Sequence, residues 1–467
     1  MIPPNTSNPT QPPNQKQSMK TKTRISILTV LAATATLAFP QGGPLAPPPG
    51  APAPTMKTLD EVEPRIPLIE GAPGVAIAPT GNITLSEPGS YYLTRNVEHD
   101  ASGHAILINA DGVTLDLMGH QIIYTGAGNT GSAIEIDGAN ITIKNGHIIS
   151  TSTHDGSSFS LGGFQYGVNA SELSHTNVIL RNLTVRGIRS WGIRIMGQAS
   201  LVENCSVFIA GQYGIQASNG AVRGCVAWRT GSYGIAAGVV TDSRTSNTDS
   251  VGIGGGVISN SNAQSAMGAA ISGTVVKNCY GQSTGSHGII AVSSVSGSYG
   301  WSTASGTSWH GIFCSGGTVI NSRGNAAGGH GISANNLSSS RGETSGEAGL
   351  GSNGIIAARI DHSTGVSTNS TSGGTGIFAS QLVVGSSGSS GFALGNGGGN
   401  GIQAQIVAHS YGGAATGANH GISARIVESS YGSRDTPVSG KFGLEANRAS
   451  LSEGLNGESI THRYNMP

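Results

Sequence analysis

The sequence predicts an all-β chain whose bulk is one single-stranded right-handed parallel β-helix of about sixteen coils. Three observations predict it. A Gly-Ile pair recurs about every 21 residues from Gly192 to Gly443. A second apolar pattern lies inside each repeat, as in V-E-N-C at Val202, V-R-G-C at Val222 and V-K-N-C at Val276. No helical period interrupts the two. Units this short bury no face alone, so they must stack coil on coil around a continuous Ile/Val column.

The elements follow in chain order. Residues 1–39 read as an N-terminal extension and signal peptide. Met19 opens K-T-K-T-R, followed by I-S-I-L-T-V-L-A-A-T-A-T-L-A-F and small residues near Ala38, a basic start and short apolar run typical of a secretory leader. Residues 1–18 carry neither pattern, which leaves Met1 or Met19 as the start. The run is short for a membrane span, so none is expected after cleavage. Residues 40–55 form a Pro-rich, extended linker. Residues 56–100 read as an N-terminal cap: a short helix up to Pro64, then strands paired around Pro88-Gly89. A solenoid needs its open edge covered. Residues 101–445 hold the coils, and 446–467 a C-terminal cap or tail.

Within the coils the Gly-Ile glycines include Gly192, Gly214, Gly234, Gly252, Gly288, Gly311, Gly331, Gly354, Gly376, Gly401, Gly421 and Gly443, with a degenerate copy placed at Gly268. Looser copies begin at Ala105, Ala133 and Tyr166. Sixteen coils about 4.8 Å apart span roughly 75 Å. Glycine is 74 of 467 residues, more than double the ordinary share of about 7%. Only 10% of residues are charged and the formal net charge is zero; with no basic stripe, a nucleic-acid partner is not expected. Cys205 and Cys225 fall at the same place in successive repeats. Their coil separation suits either a disulfide or a stacked pair of thiols.

Three segments carry a family resemblance. G-S-Y-Y-L-T-R-N-V, A-I-L-I-N-A-D-G-V-T-L-D-L-M-G-H-Q-I and I-T-I-K-N-G-H-I resemble the opening coils of secreted right-handed β-helix proteins of the pectate-lyase-like superfamily, in its uncharacterised bacterial branch. The resemblance implies the fold. It implies function only broadly, because that superfamily spans lyases, hydrolases, epimerases, binding proteins and fibre proteins.

Four groups of residues are candidates for chemistry. Asp111, Asp116, Glu135 and Asp137, with Lys144, lie on the first coils; a pectate-lyase-like centre would hold Ca²⁺ there, since hard cations need converging oxygens. Asp before Gly also commonly closes a turn. Arg181, Arg186, Arg189 and Arg194 form a second group, suited to an acidic sugar. The residue preceding Gly-Ile forms a third: Trp191, Tyr213 and Tyr233, then His287, His310 and His330, then Asn353, Thr375, Asn400, His420 and Phe442. Three stacked imidazoles suit Zn²⁺ or Cu²⁺; a ladder of planar side chains is the alternative and the favoured one. Fourth, Trp228, Trp301 and Trp309 would mark a sugar-binding groove. The G-H-G of polygalacturonases recurs at Gly329, but the paired aspartates that glycoside hydrolysis needs are missing.

The function expected is an exported carbohydrate-binding or structural surface at the cell envelope, secreted, periplasmic or cell-surface, with a polysaccharide or cell-surface glycan as partner. The alternatives are a polysaccharide lyase on acidic polysaccharide and a fibre-like adhesin. No cofactor is expected, Ca²⁺ entering only with the lyase.

Overall fold

The structure is a computed structural model that describes residues 65–345, 351–368, 373–391, 398–435 and 440–464. The leader, the linker and the short helix expected before Pro64 lie outside the described residues.

The fold is the expected right-handed parallel β-helix, with about 17 turns. Nearly every strand pairs in parallel with a strand one coil away. Each coil has three faces, shown by the coil beginning at Ile215. Ile215–Ala217 forms the first face, Ala221–Arg223 the second and Val226–Thr230 the third; their partners one coil on are Ile235–Ala237, Val239–Thr241 and Arg244–Thr248. Side chains alternate in and out along each face, as a strand dictates.

Stacking turns this alternation into columns. On the first face the inward column runs Ile83, Ile106, Ile134, Val168, Ile193, Ile215 and on to Leu444, each in register with the next. Burying one such side chain contributes about 1.5–3 kcal/mol. The second face has Leu115, Ile143, Leu180, Val202, Val222 and onward to Val427. Between these faces and the third, a residue with positive φ turns the chain, at Asn204, Asn260, Asn278, Asn321, His362 and His409 among others. Asn tolerates this left-handed backbone better than most residues.

The third face departs from the pattern of a uniform apolar core. Its inward column starts as Val97, Ile122, Ile148, Val185 and Val207. It narrows through Ala227, Thr245 and Ala263 and becomes glycine from Gly281 to Gly454. There the backbone of the third face lies directly on that of the first. A Cβ on Gly342 would stand 2.6 Å from Ile355 Cγ1, and closer still to the Gly354 carbonyl oxygen. The Gly of Gly-Ile faces the same seam from the other side: a Cβ on Gly354 would strike the Val366 amide.

Two details differ from the sequence expectation. The strands flanking Pro88-Gly89 do not pair with each other. Ile83–Leu85 and Gly89–Tyr92 belong to different faces of one coil, so their parallel partners are Ile106–Ile108 and Val113–Asp116 in the next coil; Val75–Ile77 instead lies antiparallel on Ile83–Leu85. The coil between Gly252 and Gly288 takes its place with Ala270-Ile271 rather than Gly268, because the position before Ile needs only a small side chain.

A buried ladder runs along the second corner. Ser243, Ser261, Cys279, Ser298, Ser322 and Ser340 follow one another there, preceded by Cys205 and Cys225 and continuing to Ser452. Each serine hydroxyl donates to the carbonyl two residues back, as Ser340 Oγ does to Ser338 at 2.8 Å, and accepts the amide of the preceding coil, as from Ser322 N at 3.1 Å. Cys225 does the same less closely, its Sγ bonding the Arg223 carbonyl at 3.2 Å and accepting the Cys205 amide at 3.4 Å. All four cysteines are free and buried. Burial pushes the Cys279 and Cys314 thiols up, which keeps them protonated.

Candidate functional site

The acids of the first coils are dispersed. Asp116 and Lys144 are cross-strand partners on the second face, 3.4 Å apart. Asp116 Oδ1 also accepts the Met118 amide at 3.0 Å and Asn145 Nδ2 at 3.2 Å. Asp111 accepts the Ala139 amide at 2.7 Å, and Asp137 meets His175 Nε2 at 3.3 Å. Glu135 sits on the first face, where it accepts Asn169 Nδ2 at 2.8 Å. Each carboxylate is thus engaged separately.

The four arginines share no surface either. Arg181 is on the second face against Glu203, 3.0 Å away. Arg186 points out from the third face beside Phe208. Arg189 donates to Gln165 Oε1 at 3.1 Å. Arg194 lies on the first face over Trp191, 5.2 Å from its ring centre.

The residues preceding Gly-Ile do form a ladder. Tyr166, Trp191, Tyr213 and Tyr233 stack with ring centres 5.4, 5.9 and 5.1 Å apart. In the next stretch the bond is different in kind. His287 Nδ1 accepts the His310 amide at 2.9 Å, His310 Nδ1 the His330 amide at 3.0 Å, and His330 Nδ1 the Asn353 amide at 2.9 Å. Asn353 Oδ1, Thr375 Oγ1 and Asn400 Oδ1 continue the series at 3.0, 3.3 and 3.1 Å. Burial pushes His287 down to about 4 and His310 to about 3, so both rings are neutral acceptors at pH 7. Among the described residues no group of three or more His, Cys, Asp or Glu is placed to hold a metal ion.

Among the described residues a continuous concavity lies elsewhere, along the corner between the second and third faces. Its two stretches have volumes of about 1020 and 720 Å³ and share His362 and Thr364. One wall is the left-handed corner residue of each coil, from Asn260 to Leu451; the other is the first outward residue of each third-face strand, from Asn262 to Glu453. Nine coil steps of about 4.8 Å make it roughly 43 Å long.

Tyrosines punctuate this groove at both ends. Tyr280 and Tyr299 meet edge to face at 5.4 Å, while Tyr411 and Tyr431 stack at 5.8 Å with ring planes 12° apart. Tyr411 is 45% exposed. Between the pairs come Arg323 and Arg341, both bound to Glu343, Arg323 at 2.8 Å. Desolvation pushes the Glu343 carboxyl up, but the two guanidiniums outweigh it and hold it below the usual range. The remaining lining is mostly amide and hydroxyl, with imidazoles at His362 and His409. Of the expected tryptophans, Trp301 is two residues from Tyr299 on the same strand. Trp309 packs on His287 and Trp228 lies under Arg229, both away from the groove.

Fold and groove together define an elongated β-solenoid with a polar, aromatic-studded channel along one corner. No family model matches the chain, and no curated protein does. Among solved structures it is similar to the enzymatically active domain of tailspike protein 2 of bacteriophage CBA120, with 13% identity, coverage of 73% of this chain and 47% of that one, and a TM-score of 0.24. The chain thus spans about half the length of that structure. A superposition this partial carries no argument; the fold rests on the strand register.

Proposed function

We propose that the protein is an exported, carbohydrate-binding β-helix whose corner groove takes one extended polysaccharide chain. The observation that carries this reading is the groove itself: roughly 43 Å long by the coil spacing, open, with an edge-to-face tyrosine pair towards one end, a stacked pair towards the other, and mostly amides and hydroxyls between them. Sugar rings present C–H faces that pack on aromatic rings and hydroxyl edges that need hydrogen-bond partners. A lining with tyrosine rings towards its ends and amides and hydroxyls along its length supplies both. The envelope location follows from the leader-like start and is part of the same proposal.

The test is affinity electrophoresis of the full chain through gels containing neutral and acidic polysaccharides, with the Tyr411→Ala/Tyr431→Ala variant beside the wild type. Retardation of the wild type by at least one polymer, weakened about tenfold in the variant, a loss of about 1.4 kcal/mol, is the expected result. Equal retardation of both proteins would remove the groove from the binding. A polysaccharide lyase would act on the same class of ligand. It would also release an ultraviolet-absorbing unsaturated product from polyuronates, which a binding protein would not.

A further inference from the structure

We propose that the middle of the groove is a subsite for an anionic sugar unit, one bearing a carboxylate or a sulfate, held by Arg323 and Arg341. The inference rests on the groove being the carbohydrate site and names the unit it selects.

Arg323 and Arg341 are direct cross-strand partners on adjacent coils. Like charges placed opposite one another repel, and the same row carries Asn262, Tyr280 and Tyr299 before them and Thr364, Ser387 and Tyr411 after. From Asn262 to Tyr431 the two cations are the only charged members of this wall, which ends at Glu453. One carboxylate, Glu343, is their shared partner, giving one oxygen to each. The trio keeps a net charge of +1.

The geometry turns that surplus outward. Glu343 is recessed, with 18% of its side chain exposed, while the guanidiniums are 51% and 54% exposed. Glu343 takes Arg323 Nη2 and Arg341 Nε from the next outward row of the third face, while both arginines line the groove. Arg323 is further steadied over the Tyr299 ring at 5.6 Å. Planar guanidiniums one coil apart match the spread oxygens of a carboxylate or sulfate. Other charged or titratable groups nearby do not cancel them: the imidazole of His362 is paired with Asp361 at 2.7 Å, and Glu453 lines the far end.

The experiment measures binding of the full chain, by calorimetry at two salt concentrations, to polygalacturonate, to chondroitin sulfate and to a neutral β-glucan. The variants are Arg323→Gln/Arg341→Gln and Arg323→Lys/Arg341→Lys, each checked for an unchanged melting temperature. If the Gln pair is unstable because Glu343 is left alone, the triple variant with Glu343→Gln replaces it. The expected result is tighter wild-type binding to one or both anionic polymers than to the glucan. The Gln pair should lose about tenfold of that affinity, some 1.4 kcal/mol, and much of the salt dependence, with the Lys pair intermediate and any loss of glucan binding smaller than the loss for the anionic polymers. Whichever of carboxylate or sulfate shows the larger loss is the unit selected. The subsite is overturned if the Gln pair binds the anionic polymers as the wild type does while Tyr411→Ala/Tyr431→Ala weakens them. If the tyrosine variant changes nothing, or no polymer binds, the groove reading itself has failed and takes the subsite with it.

Discussion

Replacing Gly342 by alanine tests the glycine seam directly. The new methyl would stand 2.6 Å from Ile355 Cγ1 and nearer to the Gly354 carbonyl oxygen. Neither is the loose end of a flexible side chain. That carbonyl already accepts the Ile332 amide at 3.1 Å, so the first and third faces would have to separate by about 1 Å. Overpacking of this kind costs about 1–3 kcal/mol, and straining the inter-coil hydrogen bond adds about 1 kcal/mol. The expected loss is therefore about 2–4 kcal/mol, concentrated in the C-terminal coils, because each coil of a solenoid touches only its neighbours. Gly316→Ala is the control: its nearest atom lies 3.9 Å away and its φ is ordinary, so it should be neutral or slightly stabilising. Guanidinium unfolding followed by circular dichroism, with limited proteolysis to locate the first coils released, compares the two. A Gly342→Ala protein within about 0.5 kcal/mol of Gly316→Ala, the usual span of a neutral surface change, would refute the close-contact seam.

Three further outcomes are expected. His310 is held near 3 in the fold against about 6.5 unfolded; its stabilising contribution is complete above pH 6.5 and is lost as the pH falls from there toward 3, roughly 1 kcal/mol of it by pH 5.5. His310→Asn, which keeps an acceptor, should show a shallower fall in melting temperature between pH 7.5 and 5; an unchanged slope would contradict the buried neutral ring. Ser363→Ala leaves the Ser340 amide without the acceptor it meets at 3.1 Å, a loss of about 1–3 kcal/mol readable in the same unfolding experiment, and an equal midpoint would contradict the ladder. Finally, an aromatic disulfide reagent should find no reactive thiol in the native chain, since none of the four is more than 4% exposed, and four after denaturation; two would mean that Cys205 and Cys225 are joined.

The sequence made the repeat legible because Gly-Ile fixes one column, and the Ile/Val core follows from it. The ladder of His, Asn and Thr was legible as a ladder but not in its physics. The expected stacking is present, with His310 and His330 ring centres 4.8 Å apart; what the sequence did not show is that Nδ1, Oδ1 and Oγ1 interchange because each accepts an amide at the same reach. The second glycine column repeats in S-R-G-E-T, S-T-G-V-S and S-Y-G-G-A, but its neighbours vary, so no fixed dipeptide marks it. The groove was invisible for a related reason. Tyr299, Arg323 and Arg341 are about 20 residues apart in the chain, and only the coil register makes them a row. Between Asp111 and Arg194, charges close in sequence, such as Arg181, Arg186 and Arg194, are sent to different faces by the three-sided coil.

The glycine seam also sets how the rod responds to temperature. Heat-capacity change on unfolding rises with apolar surface exposed and falls with polar surface exposed. Where Val185 and Val207 give way to Gly281 through Gly454, each coil buries less hydrocarbon and proportionally more backbone and hydroxyl. The C-terminal coils therefore have a smaller heat-capacity change per residue than the N-terminal ones, and a flatter stability curve. Their hold on the native state depends on hydrogen bonds repeated at every step, and it varies little between cold and warm water.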